Sequence, residues 1–175
     1  MLASCGSSSA DAETAKFGEG DVGILNYALL IEQIEAALYA DIVDAELAQA
    51  GEQTTMRDLQ AQEQEHVGAL IAAVQRLGGK PTGKPATRFG LENLGAALAT
   101  AEGLENLGAA AYLGQLAKIE SASAKKTVLS IYSVEGRHAA AIALLRGRPT
   151  TPEGPLAKPA TVRTVLKSIE PFLAG

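Results

Sequence analysis

Apolar residues in this chain recur every three or four positions through four long stretches, the spacing of amphipathic helices rather than the alternation of strands. The first stretch follows Asp21, a residue type that caps helices, and runs through Ile24, Leu25, Ala28 and Ile31 to Tyr39, so a helix is expected from about residue 21 into the forties. The second is expected to begin at Thr54 or Thr55, to carry Leu59, Leu70, Ile71 and Val74 on one face, and to stop at Gly78-Gly79. The third should run from about Leu91 to Lys118, and the fourth, after a tight turn at Ser121-Ala-Ser123 with Ser123 as its cap, to about Arg146. Between the second and third, Pro81, Gly83 and Pro85 exclude a continuous helix over residues 79 to 90. Such a segment reaches about 40 Å when extended, enough to run the length of a bundle and restart at its other end. Beyond the fourth helix, Pro149, Pro152, Pro155 and Pro159 precede a short amphipathic stretch with Val162, Val165, Leu166 and Ile169, expected to pack across the surface. The fold class is all-α.

The polar residues inside these stripes carry the chemistry. Both histidines stand three residues after a glutamate, as Glu63-x-x-His66 and Glu135-x-x-His138. On a helix that offset puts a carboxylate and an imidazole on one face, a metal-ligand arrangement. A second matched pair joins them: Tyr39 follows Glu32 by seven residues, and Tyr112 follows Glu105 by seven. The step from Glu32 to Glu63 is 31 residues and from Glu105 to Glu135 is 30, so the chain reads as two copies of one helical hairpin, together a four-helix bundle. Antiparallel neighbours share a metal only when their ligands stand at one height, which puts each bend halfway between them. For Glu105 and Glu135 that is residue 120, beside Ser121; for Glu32 and Glu63 it is residue 47 or 48, so the first helix should end or bend between Val43 and Ala50.

Four carboxylates aimed into a bundle core would each cost several kcal/mol to desolvate, and two imidazoles cannot neutralise them all, whereas two divalent cations can. The third helix contains a near-duplicate, Gly90-Leu-Glu-Asn-Leu-Gly-Ala-Ala97 and Gly103-Leu-Glu-Asn-Leu-Gly-Ala-Ala110. Thirteen residues rotate a helix by about 220° beyond full turns, so Glu92 and Glu105 cannot face the same core, and only Glu105 has the matching tyrosine. Glu35, Glu65 and Glu102 lie close to ligand positions and are candidates for metal entry or alternate ligation, although a solvated helix face accounts for each of them.

A glutamate from each of two helices with Glu-x-x-His from the other two is the ligand set of the dinuclear carboxylate bundles. On these residues the chain resembles the ferritin-like superfamily over about residues 21 to 146. The run from Asp21 to Tyr39 looks like the bacterial ferritin-like domain family that includes desiccation-related proteins. The resemblance implies a long crossover between helices two and three, and two iron ions, or manganese, with Glu63 and Glu135 bridging. Glu32 and Glu105 would bind one ion each, His66 and His138 would complete the shells, and Tyr39 and Tyr112 would donate hydrogen bonds to the ligands. It further implies Fe(II) oxidation or peroxide removal with oxygen or peroxide as substrate, with a manganese catalase-like enzyme or a non-catalytic protection or metal-sequestering domain as alternatives.

A net charge of −5 with scattered basic residues gives no footprint for nucleic acid. No apolar run approaches the roughly 18 residues of a membrane span, and the lone cysteine excludes a Cys-x-x-Cys metal site. That cysteine, in Leu2-Ala-Ser-Cys5-Gly before a Ser-rich stretch, looks like a lipidation site, though the basic and apolar parts of a signal peptide do not precede it. The expected organisation is a flexible tether over 1–20, the bundle over 21–146 and a Pro-rich tail with its short helix over 147–175. The expected location is the bacterial cell envelope, anchored to the membrane through lipidated Cys5, the alternative being cytoplasmic. A monomer or dimer is expected rather than a cage.

Overall fold

The computed structural model describes residues 14–174, so Cys5 and its Ser-rich surroundings lie outside the described residues. Five α-helices account for the fold: α1 (Gly20–Asp44), α2 (Ala50–Arg76), α3 (Leu94–Gln115), α4 (Ala122–Leu145) and α5 (Val162–Ile169). The first four form two hairpins, α1 with α2 and α3 with α4; α1 also packs on α3 and α2 on α4. This is the expected all-α bundle with a short C-terminal helix.

Several boundaries move, each for a local reason. The first helix ends at Asp44, within the interval set by ligand height. The second starts at Ala50 rather than Thr54, because Gln49 and Glu52 form a reciprocal capping box there. Asp21 is not an N-cap: it lies in the first turn of α1, and its carboxylate accepts the backbone N–H groups of Glu120 and Ser121 at 2.9 and 2.7 Å. It thereby clasps the start of one hairpin to the turn of the other. The cap of α4 is Ser121 rather than Ser123; Ser121 Oγ accepts from the Ala124 N–H, and Ser123 sits in the first turn with its hydroxyl 3.0 Å away. Residues 14–19, expected within the tether, are ordered: a 3-10 turn at Ala15–Phe17 packs back on α1, where Asn26 donates to the Phe17 carbonyl and the Phe17 and Tyr27 rings meet at 5.9 Å.

Helix α1 is buried nearly all round, because the crossover covers its outer side. Asn26 donates to the Lys80 carbonyl and accepts from the Thr82 N–H, and Gln33 reaches the Thr82 carbonyl. Helix α5 lies across α1 and α3, inserting Val162 and Val165 against Tyr27, Ile31 and Ala111. Its approach depends on Gly114, where a Cβ would stand 2.1 Å from the Ala160 carbonyl oxygen. The end of the chain then pairs with the crossover, Arg88 N–H to Phe172 O and Ala174 N–H to Ala86 O, both at 2.9 Å.

The core has two apolar halves. One gathers Leu25, Leu29, Leu70, Val74, Val128 and Ile131; the other gathers Ile34, Leu38, Ile42, Met56, Leu59 and Ile142. Each of the first four helices passes through both, and between them it contributes carboxylate or imidazole instead of hydrocarbon.

Candidate metal centre

Glu32 of α1, Glu63 and His66 of α2, Glu105 of α3, and Glu135 and His138 of α4 converge in the middle of the bundle. The four glutamates are 0% exposed, His66 is 8% and His138 3% exposed. The two turns make this possible by bringing each pair of antiparallel ligands to one height. Ligand atoms of Glu32, Glu63, His66 and Glu135 lie within 4.8 Å of one another, as do those of Glu63, Glu105, Glu135 and His138. Glu63 and Glu135 belong to both groups, which describes two adjoining positions with a shared pair of carboxylates.

His66 Nδ1 stands 3.1 Å from Glu32 Oε2, 3.3 Å from Glu63 Oε2 and 3.1 Å from Glu135 Oε1. His138 Nδ1 stands 2.6 Å from Glu63 Oε1 and 3.5 Å from Glu105 Oε2. The other nitrogen of His138, Nε2, is 3.0 Å from Gln62 Oε1, so it donates outward and leaves Nδ1 turned to the carboxylates. The two rings stack at 5.6 Å on the α2 and α4 side of the bundle. The tyrosines cross over. Tyr39 of the first hairpin donates to Glu105 of the second at 2.5 Å, and Tyr112 of the second donates to Glu32 of the first at 2.5 Å.

The electrostatics are those of a crowded acidic core. Burial, with the neighbouring carboxylates, raises Glu32 from 4.5 to about 8 and pushes Glu105 and Glu135 upward. For Glu63 the same burial is outweighed by the two imidazoles beside it, and its carboxyl is held down at about 2. Burial alone would favour neutral histidines, but the surrounding carboxylates lift His66 from 6.5 to about 12 and His138 to about 9. Burial also raises both tyrosines well above their usual range, so they remain donors to the glutamates.

Hydrogen bonding does not use up these groups. Both oxygens of Glu63 and of Glu135, Glu105 Oε2 and His138 Nδ1 are buried with no hydrogen-bond partner of acceptable geometry. The carboxylates crowd within ion-pair distance of the two imidazoles without completing hydrogen bonds, and two imidazoles cannot offset the desolvation of four carboxylates. Hard oxygen donors with one imidazole per position suit divalent iron or manganese, and the residues present fit such a group.

The remaining acidic candidates separate cleanly. Glu65 and Glu92 are exposed, and Glu92 precedes α3 altogether, because Asn93 caps that helix through the Ala96 N–H. Glu102 is buried but paired with Arg146 and, at 3.4 Å, with Arg148. Glu35, for which a solvated face sufficed in the sequence, is 0% exposed. The signal was present in the apolar run around it, Ile34 on one side and Ala36-Ala37-Leu38 on the other. Gln62, one residue before Glu63 in an otherwise polar stretch, carries no mark in the sequence of its contact with His138.

Fold and site together define a helical bundle protein with a buried carboxylate and histidine cluster that can hold metal. The family model described as the ferritin-like domain matches residues 20–148, and the chain belongs to that family. Comparison with curated proteins gives no match.

Proposed function

We propose that the chain is a dinuclear iron carboxylate protein that oxidises Fe(II) or removes peroxide. The observation that supports this most directly is the sharing of Glu63 and Glu135 between two four-residue ligand groups. In this reading Glu63 and Glu135 would be shared by two ions, with Glu32 and His66 holding one and Glu105 and His138 the other. Bound there, two irons supply a two-electron couple for oxygen or peroxide. Tyr39 and Tyr112 fix the orientation of Glu105 and Glu32 by donating to one oxygen of each. Gln62 holds the tautomer of His138, and the apolar halves above and below keep bulk water from the centre. Manganese suits the same donors and would carry catalase-like chemistry.

The reading extends to location and assembly: the protein works in the bacterial cell envelope, held at the membrane by lipid on Cys5, as a monomer or dimer. Detergent phase partition of the wild type against Cys5→Ser tests the anchor; equal partition would remove it.

Metal content by mass spectrometry after anaerobic reconstitution with Fe(II), alongside the Glu63→Ala, His138→Ala double variant, tests the centre. About two irons per chain, absent from the variant, are expected. No metal in either protein would end the dinuclear reading. Two irons without oxygen or peroxide consumption would leave a metal-sequestering or protective domain in place of an enzyme.

A further inference from the structure

We propose that Glu35 is a seventh carboxylate of the metal centre, one that ligates beside Glu135 in space left open by Gly108. The proposal rests on the dinuclear reading and adds to it a residue outside both ligand groups.

Glu35 follows Glu32 by three residues on α1, so it lies on the same face one turn further along. It is fully buried, and neither of its carboxylate oxygens has a hydrogen-bond partner. A glutamate kept for structure would be paired, as Glu102 is with its two arginines. The charged groups that act on Glu35 are instead Glu135, Glu32, Glu105 and Glu63, all acidic. A carboxylate in that company calls for a cation from outside the chain.

The internal repeat identifies what admits it. The residue three beyond Glu105 on α3, equivalent to Glu35, is Gly108. A Cβ at Gly108 would stand 2.8 Å from Glu35 Oε1 and 3.2 Å from Glu135 Oε2. Both carboxylates therefore flank the point where any larger residue would begin, and one half of the repeat gives up a side chain for the other half to place an acid there. Because α1 and α3 pack together on the side away from α2 and α4, Glu35 approaches from the face opposite the histidines. That face receives no imidazole, and Glu35 would supply an oxygen donor to an ion from there.

Co(II) titration of the metal-free protein, followed by calorimetry and by the visible ligand-field bands, tests this without turnover. Glu35→Gln keeps the shape and removes the charge. Gly108→Ala keeps the glutamate and fills its space, in a substitution that favours helix. Wild type is expected to bind two Co(II), and both variants are expected to bind one of them at least about tenfold more weakly, with altered bands. Helix content by circular dichroism shows whether each variant is folded, and either one, if folded, is decisive. Two Co(II) bound with unchanged affinity and unchanged bands in a folded variant would overturn the role of Glu35 and leave the dinuclear centre standing. Failure of the wild type itself to bind Co(II) would overturn both.

Discussion

The two hairpins supply the same candidate ligands in the same order, yet they hold them in different surroundings. The first turns through a five-residue excursion, Ala45 to Gln49, with Glu46 in the left-handed region at φ 50°; the second prolongs its first helix as a 3-10 turn, Leu116–Lys118, and bends through Ile119, Glu120 and Ser121. Gln62, one residue before Glu63, anchors His138, whereas the equivalent residue before Glu135 is Val134 and offers no hydrogen bond. Glu35 in the first half is answered by Gly108 in the second. The carboxylates and imidazoles are thus nearly two-fold symmetric while the groups around them are not. Two ions bound by equal ligand sets would be unequal in affinity and reactivity, and the inequality would come from residues that ligate weakly or not at all.

The largest effect should separate shared from unshared ligands. Glu63→Ala or Glu135→Ala is expected to remove both ions, and Glu32→Ala or Glu105→Ala only one, as counted by mass spectrometry; equal losses from all four would break the pairing of the halves.

The next effect concerns pH, through groups from both hairpins. Glu32, raised from 4.5 to about 8, keeps in the folded state a proton that the unfolded chain has lost, so its contribution favours folding less as pH rises through that interval. His66 and His138, raised from 6.5 to about 12 and about 9, stabilise the fold fully below pH 6.5 and lose that contribution as pH rises through their folded values. Glu63, lowered from 4.5 to about 2, stabilises above 4.5 and loses its contribution as pH falls toward 2. Calorimetry on metal-free protein should therefore find greatest stability near pH 4.5 and a decline above it that steepens past pH 6.5, at a limiting slope of about 1.4 kcal/mol per pH unit for each proton involved. Loading with metal should reverse that slope, because ligands must shed protons to bind.

A smaller effect tests the asymmetry directly. Gln62→Val copies the second half into the first, and one ion should bind about tenfold more weakly by calorimetric titration, since a histidine loses the partner that orients it. The smallest change is expected from Asp21→Ala, which should lower stability by about 1–2 kcal/mol in denaturant titrations with the metal count unchanged, because the clasp joins the hairpins far from the ligands.

How much of this the sequence reveals depends on whether a residue's partners are local. The Glu-x-x-His pairs and the bend between Val43 and Ala50 were legible because helical offset and ligand height are geometric constraints along one hairpin. The string Gly-Leu-Glu-Asn-Leu-Gly-Ala-Ala shows the limit: its first copy straddles the start of α3 and caps it through Asn93, and its second lies inside the helix with Glu105 in the core. Glu35 was hidden for a related reason. A glutamate on a helix reads as solvated when one face is free, and α1 has almost none, since the crossover and α5 cover the side that a four-helix bundle alone would expose. Asp21 reads as an N-cap in the sequence because its partners, Glu120 and Ser121, are about a hundred residues away.

The reciprocal tyrosines have a consequence for timing during synthesis. Each hairpin can form from near neighbours as soon as it leaves the ribosome, but Tyr39 must wait 66 residues for Glu105, and Glu32 must wait 80 for Tyr112. A nascent first hairpin therefore holds Glu32 and Glu63 beside His66 but lacks the tyrosine that fixes Glu32, and the cluster is not closed until the fourth helix has emerged. Metal capture by this cluster would then be the closing event of maturation, because its two halves meet only when the whole bundle is made.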